Sequence, residues 1–525
     1  MIRCSLLMES LEEKTCVKYT VVRFCIMRDG GYMRDRNDHR GGAAHDKKER
    51  SRPRDNDRST GNRGRSSGGT SYGKVPPRSG GKPIGKSVGK AVATHAGKST
   101  GKISRAVIDR ALGRTPRKPE GKESSTPHIA SFREILCREA GIPFRDEGRG
   151  MSAEPLAAMN YAHELELKAL AFERFLRIHN IDCAPGKLVP SPLPRGYRTT
   201  TKRRILIDKG TVLLASDAGK NPVIDSALEP ETHRSVYRSA GRLLGERANS
   251  FFMKRVNFVI LRSDGDGVAL IWNLDAISGD IVRAANGIAE KIREENPHLS
   301  SAFIFFDPKR SKYYFENDHD DHAPFRMKRL FGNKFLSLSV GSHRYSFSPT
   351  VFSQVNAGVA EKMVSFLESE FASGAERFLD LYCGYGLFSC VLGHLFGEII
   401  GADYSRESID DAIHNASRID GFPKARFLSR RIDEGGMASI LPKSRANEIA
   451  VLDPPRQGTA PGVIETLCDR RIIAAAHIFC GVDSIPSELR RWKRGGYRVA
   501  KMVPFDMFPG TTGIEVIAII VPGRD

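Results

Sequence analysis

Hydrophobic positions along the chain predict two regions of different pattern after residue 130. Residues 131–180 carry apolar side chains at helical spacing, and the run LAAMNYAHELELKALAFERFLRI keeps that spacing over about six turns. Residues 205–335 contain short strand-like runs, FVILRS, VALIWNL and SAFIFF, with turn residues between them. We therefore predict that residues 126–335 form a helical lead followed by a smaller mixed α+β domain.

The pattern changes near residue 335, where buried strands begin to alternate with amphipathic helices. The segment GVAEKMVSFLESEF places Val359, Met363, Phe366 and Leu367 on one helical face. The strand RFLDLYCGYG follows this helix and ends in a glycine turn. These elements begin a second predicted domain, residues 336–525.

A second amphipathic helix lies in ESIDDAIHNASRI, which carries Ile409, Ala412, Ile413 and Ala416 on one stripe. It stands between two further buried strands, in GEIIGADYS and EIAVLDPPRQG. Strands that alternate with helices are typical of an α/β fold with a parallel, doubly wound sheet. The chain ends with two strands close in sequence, for which we predict an antiparallel pair at the sheet edge.

Residues 1–125 lack both patterns. Residues 31–125 are rich in Gly, Ser, Arg and Lys and cannot bury enough apolar surface to offset the entropy of ordering, so we predict a disordered tail. Residues 80–87, GGKPIGKS, match the phosphate-binding loop pattern, which needs a buried strand before it and a helix after it. The match instead follows from a GK dipeptide that occurs six times between Gly73 and Lys102.

The basic charge of the chain is concentrated in this tail. Residues 31–120 contain 23 Lys and Arg against 8 Asp and Glu, a net of +15 out of +20 for the whole chain. A flexible basic segment favours an anionic polymer, so nucleic acid is the expected partner. The alternative is a solvated tail that aids solubility.

Cysteine usage and hydropathy indicate a cytoplasmic protein. The nine cysteines are scattered and odd in number, which fits a reducing compartment. Neither a CxxC pair nor a Cys/His cluster occurs, so we expect no metal site and no iron–sulfur cluster. We also expect no membrane span, because no apolar run approaches the length that a bilayer requires. We expect the protein to be a monomer.

A candidate nucleotide-type site lies where the predicted parallel strands end, since ligands of such sheets bind at the carboxyl ends of the strands. Residues 380–386, DLYCGYG, close the first strand, and Gly384 and Gly386 allow a tight turn that a ligand can approach closely. Asp403 closes the second strand, nineteen residues after Gly384, at the position where an acid binds a ribose diol. The alternative is an ordinary strand-to-helix turn.

The choice of ligand depends on a missing glycine. A dinucleotide fingerprint has a third glycine, but Leu387, Phe388 and Ser389 follow Gly386. S-adenosylmethionine (SAM) has a ribose and an adenine but no phosphates, so the turn and the acid favour SAM over NAD. Asp453, in DPPRQG, closes a further strand, where two prolines fix the backbone beside the site.

Cys480 ends the apolar run AAHIFCG and has two interpretations. A thiol that only packs in the core is the simpler one, because free cysteine is among the most buried residue types. The other is a nucleophile at the end of a strand, since cysteine is intrinsically nucleophilic even when only partly ionised. The run itself does not decide between them.

Four stretches together resemble the RNA 5-methyluridine methyltransferases, the uracil-C5 family that acts on bacterial tRNA and 23S rRNA. The stretches are FSPTVFSQVN, LDLYCGYGLFS, LDPPRQG and FDMFPGTTGIE, and the resemblance extends from about Pro190 to the C-terminus. It implies a Rossmann-like SAM-dependent methyltransferase sheet, RNA recognition by the smaller α+β domain, SAM as cofactor, and tRNA or rRNA as partner.

The resemblance also implies roles for individual residues. The nucleophile of the family lies at the end of the strand after DPPR, here Cys480, and its general base is a Glu beyond an FPxT stretch, here Glu515. In this chemistry a thiolate adds to C6 of uracil, C5 takes the methyl group, and the carboxylate removes the C5 proton. The residues implied for cofactor binding are Gln354, Tyr382, Gly384, Gly386, Asp403 and Asp453.

Three departures from the family pattern keep other functions open. Gly481 and Val482 replace the usual Asn-Pro after the cysteine, Gly513 replaces a His before the base, and Leu387 stands where the cofactor loop often has a polar residue. One alternative is an RNA-binding assembly factor that keeps the fold but has lost catalysis. Another is a SAM enzyme that methylates an exocyclic base nitrogen, for which no thiol is needed.

Removal of residues 1–125 should weaken RNA binding and flatten its salt dependence, because each phosphate contact contributes a slope of roughly −0.7 to −0.9 in log affinity against log salt. The measurement is a salt titration of RNA affinity for the full and the truncated chain. An unchanged slope would show that the tail does not contact RNA.

Overall fold

The computed structural model describes residues 129–144, 153–216, 223–311 and 326–523, which all fall within one compact unit, Lys118–Asp525. The basic tail and its GK-rich segment lie outside the described residues, so what we predict for them stays a prediction. Within the described ranges, no helix is both long enough and apolar enough to cross a membrane.

The described residues form helices packed around two larger sheets and a hairpin. The α-helices, numbered in chain order, are α1 (Phe132–Glu139), α2 (Tyr161–Ile178), α3 (Glu231–Gly245), α4 (Ser250–Met253), α5 (Gly279–Glu295), α6 (Ala357–Glu370), α7 (Leu387–Leu392), α8 (Arg406–Ala416), α9 (Glu434–Ile440), α10 (Val463–Asp469) and α11 (Ile485–Arg494). The strands are β1 (Thr200–Asp208), β2 (Thr211–Ala215), β3 (Val256–Asp264), β4 (Gly267–Leu274), β5 (Leu299–Phe306), β6 (Met327–Phe331), β7 (Leu336–Val340), β8 (His343–Phe347), β9 (Ala375–Leu381), β10 (Phe396–Asp403), β11 (Lys424–Ser429), β12 (Glu448–Leu452), β13 (Ala474–Phe479), β14 (Tyr497–Phe505) and β15 (Glu515–Pro522).

The C-terminal sheet has the strand order β11-β10-β9-β12-β13-β15-β14. Its first five strands are parallel, whereas β15 runs antiparallel to both β13 and β14. The chain order reverses between β9 and β12, and open α/β sheets bind ligands at such a switch point. The predicted parallel sheet with an antiparallel edge pair is therefore confirmed.

Apolar side chains cover both faces of this sheet, because successive residues of a strand point to opposite faces. On β9, Phe378 belongs to one apolar cluster with residues of α6 and α7, and Leu379 belongs to another with residues of α1 and α2. In the second cluster Phe132 and Phe172 pack edge to face, with ring centroids 6.4 Å apart. The helical lead thus shares a core with the C-terminal sheet.

The smaller sheet has the order β2-β1-β3-β4-β5-β6, and within it only β4 and β5 are parallel neighbours. On β3, Val259 and Leu261 pack with residues of α3 and α5 in a separate cluster. Phe258 and Ile260, on the other face, belong to the same cluster as Phe378 of the C-terminal sheet. The two sheets share an apolar core, and the domain boundary at residue 335 stays a prediction.

Arg262 of β3 ties the smaller sheet to the segment that precedes α6. Its buried guanidinium group donates hydrogen bonds to the carbonyl oxygens of Pro349 at 2.7 Å and Val351 at 2.6 Å, and to Ser353 Oγ at 2.7 Å. A buried charged donor is costly unless it is hydrogen-bonded, so these contacts favour one path for residues 349–353.

Two details of the helices differ from the prediction. Helix α2 begins at Tyr161, later than the apolar pattern suggests, because the Asn160 side chain accepts hydrogen bonds from the backbone N–H groups of Ala162 and His163. Such a cap satisfies backbone donors that otherwise lack partners at a helix start. Ile413 of α8 is 49 % exposed, because it lies at the edge of the buried stripe rather than within it.

Candidate active site

Seven of the eight predicted site residues line one cavity at the carboxyl ends of the parallel strands. The cavity has a volume of about 520 Å³, within the usual range of small-molecule sites. The predicted residues in its wall are Gln354, Tyr382, Gly384, Asp403, Asp453, Cys480 and Glu515.

The turn after β9 holds the acidic residue that ends β10. The backbone N–H of Gly384 donates to Asp403 Oδ2 at 3.1 Å, and the N–H of Ser405 donates to Asp403 Oδ1 at 2.8 Å. Gly384 has a φ of +54°, a conformation in which any side chain would be strained. Burial raises the pKa of Asp403 above its usual value. The two hydrogen bonds fix the orientation of this carboxylate in the cavity wall.

Gly386 is the predicted site residue that the structure does not bring to the cavity. It directly precedes α7 with a φ of +86°, and a Cβ atom there would lie 3.2 Å from the Cβ of Ala412 in α8. Next to this turn, Asp380 of β9 accepts hydrogen bonds from Ser389 of α7, from the backbone N–H at 2.9 Å and from Oγ at 2.6 Å. Gly386 therefore permits close packing of α7 against α8, and its part in cofactor binding stays a prediction.

Gln354 and Asp453 lie beside each other in the cavity wall. Gln354 Nε2 lies 3.4 Å from Asp453 Oδ2 and donates a long hydrogen bond to it, and Thr199 Oγ1 donates to the backbone oxygen of Gln354 at 2.7 Å. Burial, together with the negative charge of Asp380, raises the pKa of Asp453 to about 7. The cavity thus holds a carboxyl group besides Asp403, and the pKa of this second group is raised towards neutral pH.

Cys480 and Glu515 lie beside each other because of strand register. The antiparallel strands β13 and β15 pair Phe479 with Val516, so the next pair in that register is Cys480 and Glu515. Cys480 Sγ lies 3.6 Å from the carbonyl oxygen of Pro454, in the loop after β12. A thiol and a carboxyl group are therefore adjacent at the edge where the strands end.

The electrostatic environment disfavours ionisation of both groups in the free protein. Burial and the negative charges of Asp453 and Glu515 raise the pKa of Cys480 to about 12, against the lowering effect of Arg456. Burial and Asp453 likewise raise the pKa of Glu515 to about 8, again opposed by Arg456. Within the part of the chain that the structure describes, Glu515 Oε2 is buried without a hydrogen-bond partner. A cation in the cavity would favour the ionised forms.

Steric contacts explain part of the departures from the family pattern. A Cβ atom at position 481 would overlap the backbone of Arg456, so the loop after Cys480 has room for glycine only. Leu387 is buried in the same apolar cluster as Phe378 and does not line the cavity. The polar residue usual at this position would thus need a different local packing.

The cavity also contains residues that the sequence analysis did not assign. Thr350 Oγ1 donates to Glu407 Oε2 at 2.5 Å at the cavity wall, and Phe352 is 56 % exposed there. Phe508 lines the same cavity near Glu515. Thr350, Phe352 and Phe508 lie within the FSPTVFSQVN and FDMFPGTTGIE stretches, whereas Glu407 had no sequence signal beyond its nearness to Asp403.

The topology and the acid at the end of β10 define a Rossmann-like methyltransferase fold. The structure is similar to that of the Pyrococcus abyssi tRNA (uracil-54, C5)-methyltransferase in complex with S-adenosyl-L-homocysteine, with a TM-score of 0.53 and 20% sequence identity. The similarity covers 72% of this chain and 88% of that chain. At this identity it establishes the fold.

Residues 325–521 match the sequence model of the tRNA (Uracil-5-)-methyltransferase family, which confirms the predicted resemblance for that part of the chain. An uncharacterized RNA methyltransferase of Halalkalibacterium halodurans is 28% identical over 238 residues, which are 44% of this chain and 49% of the relative. Another, of Thermosynechococcus vestitus, is 32% identical over 197 residues, 36% of this chain and 42% of the relative. The matches span less than half the length of either relative.

Glu515→Gln should stabilise the ligand-free protein more at pH 8 than at pH 5. Below its ordinary pKa of 4.5 the carboxyl group is protonated in both the folded and the unfolded state, so the raised pKa has no effect on stability. As the pH rises towards about 8, only the unfolded chain ionises freely, and the wild-type protein loses stability that the neutral glutamine retains.

The measurement is thermal unfolding of both proteins at the two pH values. The melting temperature of the variant minus that of the wild type should be several degrees larger at pH 8 than at pH 5. Glu361→Gln, at an exposed position of α6, is the matched control. The same difference between variant and wild type at both pH values would contradict the raised pKa.

Proposed function

We propose that this protein is a SAM-dependent methyltransferase that acts on C5 of a uridine in structured RNA, tRNA or rRNA, through a covalent bond between Cys480 and C6 of the base. The observation that carries the proposal is the register of β13 and β15, which sets Cys480 beside Glu515 in a cavity of cofactor size. The family match over residues 325–521 supports the same reaction class.

The residues of the cavity suit SAM. Asp403, fixed by two backbone N–H donors, has the geometry of an acceptor for ribose hydroxyl groups. Asp453 and Gln354 add a carboxyl and an amide group to the cavity wall, and carboxylates favour a cationic sulfonium. When bound, SAM supplies an electrophilic methyl group and a positive charge.

Cys480 is the proposed nucleophile. As a thiolate it would form a bond to C6 of the uracil ring, which converts C5 into an enolate-type carbon able to accept a methyl group. The raised pKa of Cys480 in the free protein favours the protonated thiol, and a cation such as SAM in the cavity would lower that pKa. This environment limits reaction of the thiol before SAM is bound.

Glu515 is the proposed base. After methyl transfer C5 carries both a methyl group and a proton, and the carboxylate removes that proton while the bond between Cys480 and C6 breaks. The thiolate and the aromatic ring are regenerated, and the proton leaves through Glu515 to solvent. A pKa of about 8 suits proton transfer near neutral pH.

The target base must leave its stack to react in this cavity. A thiol must approach C6 from above the ring plane, and the neighbouring bases of a helix occupy that space. The base therefore flips out or belongs to a loop. Phe352, exposed at the cavity wall, and Phe508 offer apolar contacts for a base in this position.

Asp403→Ala should raise the dissociation constant for SAM by roughly ten- to a hundredfold without unfolding the protein, because charge-assisted hydrogen bonds each contribute about 1.5–3 kcal/mol. Calorimetric titration with SAM measures the change. Asp410→Ala, an exposed carboxylate of α8, is the control and should bind SAM as the wild type does. Normal affinity in folded Asp403→Ala protein would refute the ribose assignment.

Cys480→Ala should form no covalent complex with RNA and transfer no methyl group, whereas Glu515→Gln should still allow attack and methylation. Glutamine resembles glutamate in shape but cannot remove the C5 proton, so the Glu515→Gln protein should remain attached to methylated RNA. The measurement is a slow-migrating, protease-sensitive protein–RNA band that carries label from the methyl group of SAM.

The double variant Cys480→Ala/Glu515→Gln is the control, and it should lack the band because the attacking thiol is absent. Methylation by Cys480→Ala protein would refute the covalent mechanism and favour attack by an exocyclic base nitrogen. Wild-type protein that binds RNA but transfers no methyl group would favour an assembly factor.

A further inference from the structure

A cluster of four charged side chains joins α2 to the loop that follows β14. Lys168 Nζ lies 2.8 Å from Glu164 Oε1 and 2.7 Å from Asp506 Oδ1, and Arg195 Nη2 lies 3.0 Å from Glu164 Oε2. The side chains of Lys168, Glu164 and Asp506 are fully buried. Two cations and two anions balance in charge, although Asp506 Oδ2 is buried without a hydrogen-bond partner among the described residues.

The same cluster fixes the backbone of the loop between β14 and β15. Lys168 Nζ donates to the carbonyl oxygen of Phe508 at 3.2 Å, and Glu164 Oε1 accepts a hydrogen bond from the backbone N–H of Gly510 at 2.6 Å. Tyr197 adds a third attachment, since its hydroxyl group donates to the carbonyl oxygen of Pro509 at 3.0 Å. Three successive residues of the loop are thus held by side chains from outside it.

This loop leads directly to the candidate chemistry. Phe508 lines the cavity, and Glu515 begins the strand that the loop connects to β14. The register pairs Phe505 with Glu515, so residues 506–514 form the whole connection between two paired strand ends. A shift of the loop would move Phe508 relative to Cys480 and would disturb the start of β15, where Glu515 lies.

We propose that Lys168 is a positioning residue, which acts through Asp506 and the Phe508 carbonyl to hold Glu515 and Phe508 in place against the substrate base. The inference rests on the proposed function. Buried ion pairs are weak evidence for stability, because apolar replacements often fold equally well, but they can favour one arrangement over its neighbours. Catalytic groups lose rate steeply when they are displaced by about 1 Å.

Helix α2 precedes the family-matched segment 325–521, yet it supplies the cation that fixes a loop inside that segment.

The order of the reaction steps determines which step a displaced Glu515 affects. A displaced Glu515 slows removal of the C5 proton, which follows methyl transfer, whereas attack by Cys480 and binding of SAM do not need it.

The test is the charge-balanced variant Lys168→Met/Asp506→Asn in the full chain. It removes one cation and one anion, so Glu164 and Arg195 still neutralise each other and folding should survive. We expect SAM affinity within about twofold of wild type, turnover reduced at least about tenfold, and a larger fraction of folded enzyme trapped as the methylated protein–RNA complex. The fraction folded is measured by SAM titration.

Lys501→Met/Glu370→Gln removes another lysine–carboxylate pair, 2.5 Å apart and more exposed, between β14 and the end of α6, and is the control. It should turn over and trap RNA as the wild type does. Tyr197→Phe, which removes the hydrogen bond to Pro509 and leaves the ion pairs in place, should shift the trapped fraction in the same direction by a smaller amount and serves where the double variant fails to fold.

A trapped fraction per folded molecule equal to that of wild type, whether or not total activity falls, would overturn the positioning role, because a purely structural cluster changes only the amount of folded enzyme. Normal turnover in the double variant would overturn it as well. Wild-type protein that methylates no RNA would overturn the proposed function and this inference together, whereas failure of the inference alone leaves wild-type methylation intact.

Discussion

The antiparallel pairing of β13 with β15 is the constraint on which the candidate site depends. The carboxyl ends of parallel strands lie at one edge of a sheet. An antiparallel strand begins at that same edge, so its first residue can lie beside the last residue of a parallel neighbour. Glu515 can therefore begin one strand while Cys480 follows the end of its neighbour. Without this reversal, the two groups, 35 positions apart in the sequence, would not lie at the same edge.

Hydrogen bonds from three parts of the chain hold the loops that surround this edge. Arg262 of the smaller sheet fixes the segment before α6, Asp403 is bound by the turn after β9, and Lys168 of α2 holds the loop before β15. Each of these hydrogen bonds is buried or partly buried. In such surroundings a hydrogen bond is strong and an unpaired polar group is costly. The apolar core gives the frame, and these contacts select the loop conformations.

Without a ligand, the charges around the cavity disfavour ionisation of its carboxyl and thiol groups. Burial and the charge of Asp380 raise the pKa of Asp453 to about 7, burial and the charge of Asp453 raise the pKa of Glu515 to about 8, and the negative charges of both oppose ionisation of Cys480. A cationic ligand would lower all three pKa values at once. The arrangement therefore links reactivity of the thiol to occupancy of the cavity in the proposed reaction.

Local sequence determined much of this protein. The alternation of apolar runs predicted the doubly wound sheet, and the ends of those runs indicated Asp403 and Asp453 as candidate site residues, because strand ends in such a sheet share one edge. The family resemblance added Gln354, Glu515 and the proposed role of Cys480. Tertiary structure decided what depends on contacts between distant segments: the burial of Lys168 against Asp506, the packing role of Gly386 against Ala412, and the place of α2 on the C-terminal sheet. Periodicity within one segment specifies which face is buried, but not which segment covers it, and only the folded chain sets those partners.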